Sequence, residues 1–302
     1  MKVVRALEYI PAKTIVSSRY EGGWFGSNYT MNLYKGCCHG CIYCDSRSEC
    51  YQIRDFDRVK AKENALEIIA RDLRGKRQKG MVITGAMSDP YNPFEETLCL
   101  TRGALELLDQ YGFGAAIDTK SPLVTRDTDI LKRIQRHSPV SVSITITTAE
   151  DDLCRKVERH VAVSSRRFEA LEELSRQGIP CGILLIPLLP FINDTEKNVR
   201  AIVRKAKEAG AKWIFAYPGM GVTLRQNQRV YFYDRLDESF PGLREKYLQV
   251  YGDQYECVSP RSKELWQELI HACDENGLLY RMEDISLFLH APYRVQQMSL
   301  FQ

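Results

Sequence analysis

The pattern of apolar and polar positions along the middle of the chain predicts strands that alternate with helices. Short apolar runs bounded by glycine or proline predict buried strands, and apolar positions that recur every three to four residues predict helices with one buried face. The strands are predicted at 31–35, 80–85, 113–119, 140–147, 181–189 and 213–217. The helices between them are predicted at 58–74, 95–111, 127–136, 164–177 and 194–209.

This alternation predicts a parallel sheet with right-handed helical crossovers, hence the α/β class. Six strands and five helices fit a partial (β/α)6 barrel of TIM type, and a doubly wound sheet is the alternative. In either fold the functional residues gather at the carboxyl ends of the strands. Polar stretches do follow four of the strands, at 36–45, 85–91, 118–121 and 145–148. We therefore expect these stretches to line one site.

The remaining segments divide the chain further. Residues 1–30, with their glycine breaks, are predicted to be an irregular lead-in, and residues 31–220 are predicted to be the barrel core. Helical patterns at 243–250 and 262–275 predict a helical extension over residues 221–295. Residues 296–302 are predicted to be a flexible tail.

Composition excludes several classes of protein. With 44% hydrophobic and 27% charged residues in a chain of 302, the sequence is that of an ordinary globular protein. The net charge of +3 is too small to indicate nucleic-acid binding by itself. No apolar run approaches the roughly 18–20 residues that a membrane span needs, and no export signal is evident. Ten cysteines without such a signal favour a reducing, cytoplasmic location.

The stretch from Gly36 to Asp45 is the richest in candidate chemistry. Cys37, Cys41 and Cys44 follow one another with three and two residues between them. Closely spaced thiolates bind soft metals or iron–sulfur clusters. A structural zinc site or an electron-carrying cubane uses four protein ligands, whereas a cubane held by three leaves one iron open.

Other interpretations of the loop remain open on spacing alone. Zinc could take His39 or Cys50 as its fourth ligand. A cluster with four thiolates could recruit a distant cysteine, and Cys38 could replace Cys37 in a shifted register.

The three cysteines, with Tyr43 directly before the last of them, resemble the signature of the radical S-adenosylmethionine (radical SAM) enzymes. The resemblance implies a 4Fe-4S cluster held by Cys37, Cys41 and Cys44, with S-adenosylmethionine on the open iron. It implies reductive cleavage of S-adenosylmethionine to a 5′-deoxyadenosyl radical, which abstracts a hydrogen atom from a substrate. It also implies an electron donor of the flavodoxin or ferredoxin kind, and it places Tyr43 beside the adenine.

Residues 30–220 are similar, more narrowly, to the spore photoproduct lyase-like (DNA repair photolyase-like) branch. This similarity implies that the stretch from Gly85 to Asp89 binds the methionyl amino group and that later strand ends contact the carboxylate and ribose. The cofactor-binding positions so implied are Gly85, Ala86, Ser88, Asp89, Lys120, Ser143, Thr145, Glu158 and Arg167. For Lys120 the alternative is a solvated strand-end lysine, and for Glu158 and Arg167 it is a plain ion pair.

Two departures separate the chain from true spore photoproduct lyase. Ala86 and Met87 stand where that enzyme has a hydrogen-donor cysteine, and Asp45 stands where it has a tyrosine. Both argue against repair by the same route, so the lyase or transferase class stays unresolved.

The C-terminal third adds three candidates. Residues 224–235 interleave arginines with aromatic residues, a pattern that suits unpaired nucleic acid or, alternatively, an amphipathic helix packed on the barrel. Cys257 is a candidate radical-quenching thiol, against the alternative of a buried structural thiol. The last segment resembles the pentapeptide by which bacterial proteins bind the DNA sliding clamp; its residues are Gln297, Met298, Ser299, Leu300 and Phe301. The alternative is a tail that folds back onto its own domain.

The leading hypothesis is therefore a radical SAM enzyme that acts on nucleic acid, at DNA repair or replication sites. One alternative is a radical SAM enzyme with a peptide or small-molecule substrate. The other is a non-enzymatic iron–sulfur or zinc protein that binds nucleic acid.

Overall fold

The computed structural model describes residues 7–18 and 23–298, with side chains as far as Tyr293. Its strands are β1 (Glu8–Ile10), β2 (Val16–Ser18), β3 (Tyr29–Met31), β4 (Tyr34–Lys35), β5 (Lys60–Lys62), β6 (Met81–Thr84), β7 (Gly114–Thr119), β8 (Val140–Thr145), β9 (Cys181–Leu184), β10 (Trp213–Phe215), β11 (Gly221–Thr223) and β12 (Glu256–Val258). Its helices are α1 (Ala65–Arg74), α2 (Glu95–Leu98), α3 (Leu100–Tyr111), α4 (Thr128–Gln135), α5 (Asp151–Val157), α6 (Ser164–Arg176), α7 (Glu196–Glu208), α8 (Gln226–Ser239), α9 (Leu243–Tyr251), α10 (Ser262–Asn276) and α11 (Met282–Met298).

A seven-stranded sheet organises the core. Its order is β10-β9-β8-β7-β6-β3-β2, and every pairing is parallel except that of the edge strand β2 with β3. The six parallel strands follow chain order across the sheet, with helices in the connections. This arrangement confirms the prediction of a partial (β/α)6 barrel.

Several local expectations were wrong. The first barrel strand is β3, not 31–35, because Tyr34 and Lys35 pair instead with β5 in a separate sheet with β1. The lead-in is not irregular, since its described part contains β1 and β2. The helix predicted at 95–111 is broken at Cys99, whose φ of 50° cannot continue a helix.

Residues alternate between the two faces of the sheet, as the strand period requires. In β8, Val140, Val142 and Ile144 belong to the large core shared with the outer helices. Ser143 and Thr145 therefore lie on the inner face.

A second apolar cluster covers part of that inner face beside β10. Phe25 from the lead-in and Ile285 and Leu289 from α11 pack with Trp213 and Phe215. The Phe25 amide hydrogen-bonds the sulfur of Met282 at 3.1 Å, which joins the two ends of the described chain. The inner face is thereby closed by segments that flank the barrel strands on either side.

The C-terminal extension packs behind the cysteine loop. Phe232, Leu236 and Tyr247 form an apolar cluster with Ile42 and Tyr43 of the loop. The arginines at the start of α8 bond within the chain: Arg225, directly before the helix, bonds with Asp45, and Arg229 with the carbonyl of Gly252. The structure thus favours the packed amphipathic helix among the two interpretations of residues 224–235.

Two further points concern the ends of the extension. Helix α11 reaches Met298 and so includes the first residues of the predicted tail, while residues 299–302 lie outside the described part; the division into domains stays a prediction. Among the helices described, none is both long enough and apolar enough to span a membrane.

Candidate active site

The cysteine loop is fixed by glycine geometry and backbone hydrogen bonds. Gly36 and Gly40 have φ of 80° and 66°, and a Cβ at Gly36 would lie 2.5 Å from the Arg58 carbonyl oxygen. Other side chains are therefore strained at these positions. The Cys37 amide donates to the Phe56 carbonyl at 2.8 Å. A loop held this way presents its side chains in one arrangement.

The thiols of Cys37, Cys41 and Cys44 line one cavity of about 470 Å³. Together with Tyr43 they form its thiol wall. No fourth cysteine lines this cavity in the part of the chain that the structure describes, and Cys38 is not among the lining residues. Within the same described residues, no three Cys, His, Asp or Glu side chains converge as ligands of a single metal ion would. Ligands of a four-iron cube bind different corners and need not converge, so the donor set fits a cubane with one open iron.

Burial keeps these thiols neutral until a metal displaces their protons. It raises the pKa of Cys41 to about 12 and the pKa of Cys37 well above its ordinary value. Thiolate ligation consequently releases protons.

Tyr43 is fixed by a fully buried ion pair. Its hydroxyl donates to Glu158 Oε1, and Arg167 Nη1 lies 2.6 Å from Glu158 Oε2. Arg167 also donates to the Thr145 carbonyl at 2.9 Å. Burial alone would raise the pKa of Glu158, but Arg167 and Lys120 hold it below its usual range. The pair thus ties the thiol wall to the end of β8 without lining the cavity.

Gln228 of α8 holds the same part of the loop from behind. Its buried Nε2 donates to the carbonyls of Tyr43 at 3.0 Å and Thr223 at 2.8 Å. Its Oε1 accepts the Arg225 amide at 2.9 Å. The first turn of α8 is therefore hydrogen-bonded to the loop that carries the cysteines.

Asp89 joins the ends of two strands to the loop. Its carboxylate accepts the Thr119 hydroxyl and the Lys120 amide, both at 2.7 Å, and the Tyr91 amide at 2.9 Å. His39 Nδ1 lies 3.5 Å from its Oδ2. Most of its hydrogen-bonding capacity is thus spent on positioning the strand ends.

Ser88 extends this link, because its hydroxyl donates to the Gly36 carbonyl. Gly85 has φ of 109°, and a Cβ there would lie 1.9 Å from the Asp118 carbonyl oxygen. Only glycine allows this close crossing of β6 and β7 ends.

Two further polar groups lie on the inner face at strand ends. Lys120 places its ammonium 5.8 Å from the centre of the Tyr43 ring. Burial would lower the pKa of Lys120, but attraction to Cys41, once that thiol is ionised, and to the Glu158 carboxylate raises it above the ordinary value, so its ammonium is charged. Ser143 pairs in register with Asp118, one step deeper than Thr145. Its buried hydroxyl has no hydrogen-bond partner among the described residues.

The opposite side of the cavity is formed by residues that the sequence analysis missed. Trp24 and Tyr217, which we call the aromatic rim, lie with ring centres 5.9 Å apart. The Trp24 indole donates to Asp118 Oδ2 at 2.8 Å. Trp24 lies in the lead-in, and Tyr217 two residues beyond β10, so neither has a motif of its own.

Most predicted site residues meet at the cavity. Those that line it are Cys37, Cys41, Tyr43, Cys44, Gly85, Ala86, Ser88, Asp89, Lys120 and Thr145. Glu158 and Arg167 lie behind this lining, and Ser143 lies one step deeper on the inner face of β8 than the lining residue Thr145.

Cys257 is not brought to the cavity. It is fully buried in the cluster behind the loop, where its thiol donates weakly to the Gln254 carbonyl at 3.8 Å. This placement favours the structural thiol over the radical-quenching one.

Ser299, Leu300 and Phe301 lie outside the described residues, as do the side chains of Gln297 and Met298.

Comparison with known proteins places this geometry in a family. A protein of Mycobacterium tuberculosis, itself uncharacterised, is 27% identical over 230 residues, which are 74% of this chain and 67% of that one. An uncharacterised protein of Methanocaldococcus jannaschii is 33% identical over 174 residues, 57% of this chain and 64% of that one.

Among solved structures, a double mutant of spore photoproduct lyase with bound AdoMet and dinucleoside spore photoproduct superposes with a TM-score of 0.63. The two are 14% identical, and the match covers 91% of this chain and 81% of the lyase. A radical SAM methyltransferase of Kitasatospora setae gives a TM-score of 0.53 at 11% identity, covering 80% of this chain and 51% of the methyltransferase. At such identities the likeness concerns the fold.

The sequence model of the radical SAM superfamily matches residues 31–206, more than half of the chain. That range begins in β3 and ends in α7, and it contains the cysteine loop and the ends of five parallel strands. The chain therefore belongs to the radical SAM superfamily, and it is an enzyme whose cofactors are a 4Fe-4S cluster and S-adenosylmethionine.

Proposed function

We propose that Cys37, Cys41 and Cys44 hold the cluster and that S-adenosylmethionine lies between the thiol wall and the ends of β6, β7 and β8. The observation that carries this proposal is the presence of these three thiols in one cavity with Lys120 and Thr145. When bound there, the two cofactors supply reductive carbon–sulfur cleavage and a 5′-deoxyadenosyl radical.

The chain's own residues fall into two groups in this proposal. Tyr43, Lys120 and Ser143 contact the cofactor, Lys120 as a point charge for the carboxylate and Ser143 through its unpartnered hydroxyl. Glu158 and Arg167 act through Tyr43 and Thr145, and Asp89 acts through the strand ends; these three are positioning residues.

We assign Gly85 and Ala86 to the first group as well. Both follow β6 beside the thiol wall and line the cavity. Ser88 spends its hydroxyl on Gly36, so we assign it the role of holding the loop against this stretch.

The test is anaerobic reconstitution with iron and sulfide, followed by S-adenosylmethionine and a chemical reductant. We expect 5′-deoxyadenosine to accumulate in proportion to the cluster content. A fully loaded preparation that forms none would contradict the proposal and favour a non-enzymatic iron–sulfur protein.

We propose further that the substrate is a nucleic acid and that the enzyme works in DNA repair or replication. Support comes from the fold shared with spore photoproduct lyase, whose structure holds a dinucleoside spore photoproduct. Because Ala86, Met87 and Asp45 replace groups of that enzyme's chemistry, the reaction is a different one. The alternative, a peptide or small-molecule substrate, is favoured if no oligonucleotide binds to the loaded protein.

The tail from Gln297 to Phe301 is proposed to bind a DNA sliding clamp. In such a contact an extended segment buries its Leu and Phe in an apolar groove while Gln anchors it by hydrogen bonds. Purified clamp should bind the intact protein, and the Leu300→Ala/Phe301→Ala variant should lose that binding. If the intact protein does not bind, the tail has another role.

Two further proposals concern the surroundings of the enzyme. The family needs a one-electron donor, which we propose to be a flavodoxin or a ferredoxin. The ten free cysteines suit a reducing compartment, and we propose the cytoplasm.

A further inference from the structure

Tyr217 presents an aromatic face at the mouth of the cavity. Its side chain is 52% exposed although it follows the buried strand β10. Behind it, the Phe215 ring lies edge-on with its centre 5.4 Å away, and the Trp24 ring is tilted at 5.9 Å. Trp24 is itself anchored through its indole to Asp118. An exposed ring is thus held in a defined orientation.

The solvent exposure of the lining side chains falls from Tyr217 of the aromatic rim toward the interior of the cavity. Leu184 and Ile83, which also line it, are only 6% and 1% exposed. The polar groups suited to the cofactor lie on the other side, along the thiol wall. A molecule that rests on Tyr217 therefore lies at the entrance, facing the space assigned to the cofactor.

A fixed aromatic face at a concave entrance suits a flat ring. An unpaired base exposes such a face, and stacking on aromatic side chains is the general way in which proteins hold bases of single strands. A base within a duplex cannot enter a concave site unless it leaves the stack. The aromatic rim is a different candidate from residues 224–235, whose arginines Arg225 and Arg229 already form hydrogen bonds within the chain.

We propose that the aromatic rim binds an unpaired nucleobase of the substrate, stacked on Tyr217 and bordered by Trp24. This inference rests on the proposed nucleic-acid substrate and names the residues that would select it. The rim would hold the base at the cavity entrance while its sugar or ring edge faces the cofactor.

The test measures binding of a short, labelled oligothymidylate to the cluster-loaded protein by fluorescence anisotropy under anaerobic conditions. We expect Tyr217→Ala to weaken binding about tenfold, the loss typical of one stacked base. Tyr217→Phe keeps the ring and should bind like the parent protein. Tyr9→Ala is the matched control, because Tyr9 is 53% exposed but does not line the cavity.

A second measurement places the ring directly. An oligonucleotide that carries 4-thiothymidine should cross-link under near-ultraviolet light to a peptide containing Tyr217 or Trp24, identified by mass spectrometry. Cross-links confined to other surfaces would overturn the proposal.

The remaining outcomes separate this inference from the function it rests on. If the parent protein binds the oligonucleotide and Tyr217→Ala binds equally well, the inference is wrong while the nucleic-acid substrate stands. If Tyr217→Ala weakens S-adenosylmethionine binding alone, Tyr217 contacts the cofactor and the inference is wrong. If the loaded parent forms 5′-deoxyadenosine but binds no oligonucleotide, both the nucleic-acid substrate and the inference fail.

Discussion

The thiol wall and the aromatic rim face each other across one cavity and are built in opposite ways. The thiol wall is held by glycine turns, by the buried pair Glu158–Arg167 and by Gln228 from behind. The rim consists of two rings, one of them half exposed, which pack on each other. Chemistry shared by a whole superfamily needs fixed geometry, whereas recognition of one substrate can rest on a few exchangeable side chains.

The largest expected effect distinguishes Cys37 of the thiol wall from its sequence neighbour Cys38, which lies outside the cavity lining. Cys37→Ser should abolish binding of an intact cluster, because a cube then keeps two protein ligands only. Cys38→Ser is the control, since Cys38 does not line the cavity. Iron content and the visible absorption of the reconstituted proteins measure both. Loss of the cluster in Cys38→Ser, with retention in Cys37→Ser, would move the ligand register by one residue.

The next effect tests the buried support of the thiol wall. Arg167→Met leaves the Glu158 carboxylate buried without its partner, and both side chains are fully buried. We expect the free energy of unfolding to fall by about 3–5 kcal/mol. Urea denaturation of the cluster-free protein measures it. The double variant Glu158→Leu/Arg167→Met should recover much of this loss, and equal loss in both variants would show that the charge is not the cause.

A smaller effect tests the contact between the extension and the loop. Gln228→Leu removes the donor to the Tyr43 carbonyl and leaves that buried oxygen unsatisfied. The expected cost is about 1–3 kcal/mol in the free energy of unfolding. Asn227→Leu, which loses the hydrogen bonds to Arg47 and Glu49 just after the loop but lies nearer the protein surface, should cost less. A larger loss in Asn227→Leu would place the main attachment at Arg47 and Glu49.

The smallest effect on stability, with a distinct effect on binding, is expected at Ser143. Its hydroxyl is buried without a partner in the described chain, so Ser143→Ala should change the free energy of unfolding by less than about 0.5 kcal/mol. Affinity of the loaded protein for S-adenosylmethionine should nevertheless fall several-fold. Ser141→Ala, one step deeper on the same face of β8, is the control. Unchanged affinity in Ser143→Ala would remove this residue from the cofactor site.

The sequence predicted the barrel because its strands and helices are separated by clear glycine and proline signals. It also predicted the residues of the thiol wall and the strand ends beside it, since local spacing and strand-end polarity are visible in one dimension. It failed where the outcome depends on pairing between distant segments. Tyr34 and Lys35 belong to the predicted first strand yet join Lys60 and Ala61 in another sheet.

The same limit explains why the aromatic rim was missed and why the full burial of the Glu158–Arg167 pair was not predicted. Trp24 and Tyr217 are far apart in the chain and meet only through the closure of the inner face. Glu158 and Arg167 were expected either to contact the cofactor or to form a plain ion pair, and the structure shows the ion pair, completely buried behind Tyr43. Burial of this kind follows from the packed fold and leaves no local pattern.

The closure of the inner face has a practical consequence for anyone who isolates the catalytic region. Phe25, Ile285 and Leu289 all lie outside residues 31–206, yet they cover the face of the sheet beside Trp213 and Phe215. Cutting the gene at the family boundaries would also remove β10, and longer fragments that keep it would expose its large rings to water. Such fragments would expose an apolar surface that promotes aggregation. Expression designs should therefore keep the segment from Trp24 to Gly26 together with α11.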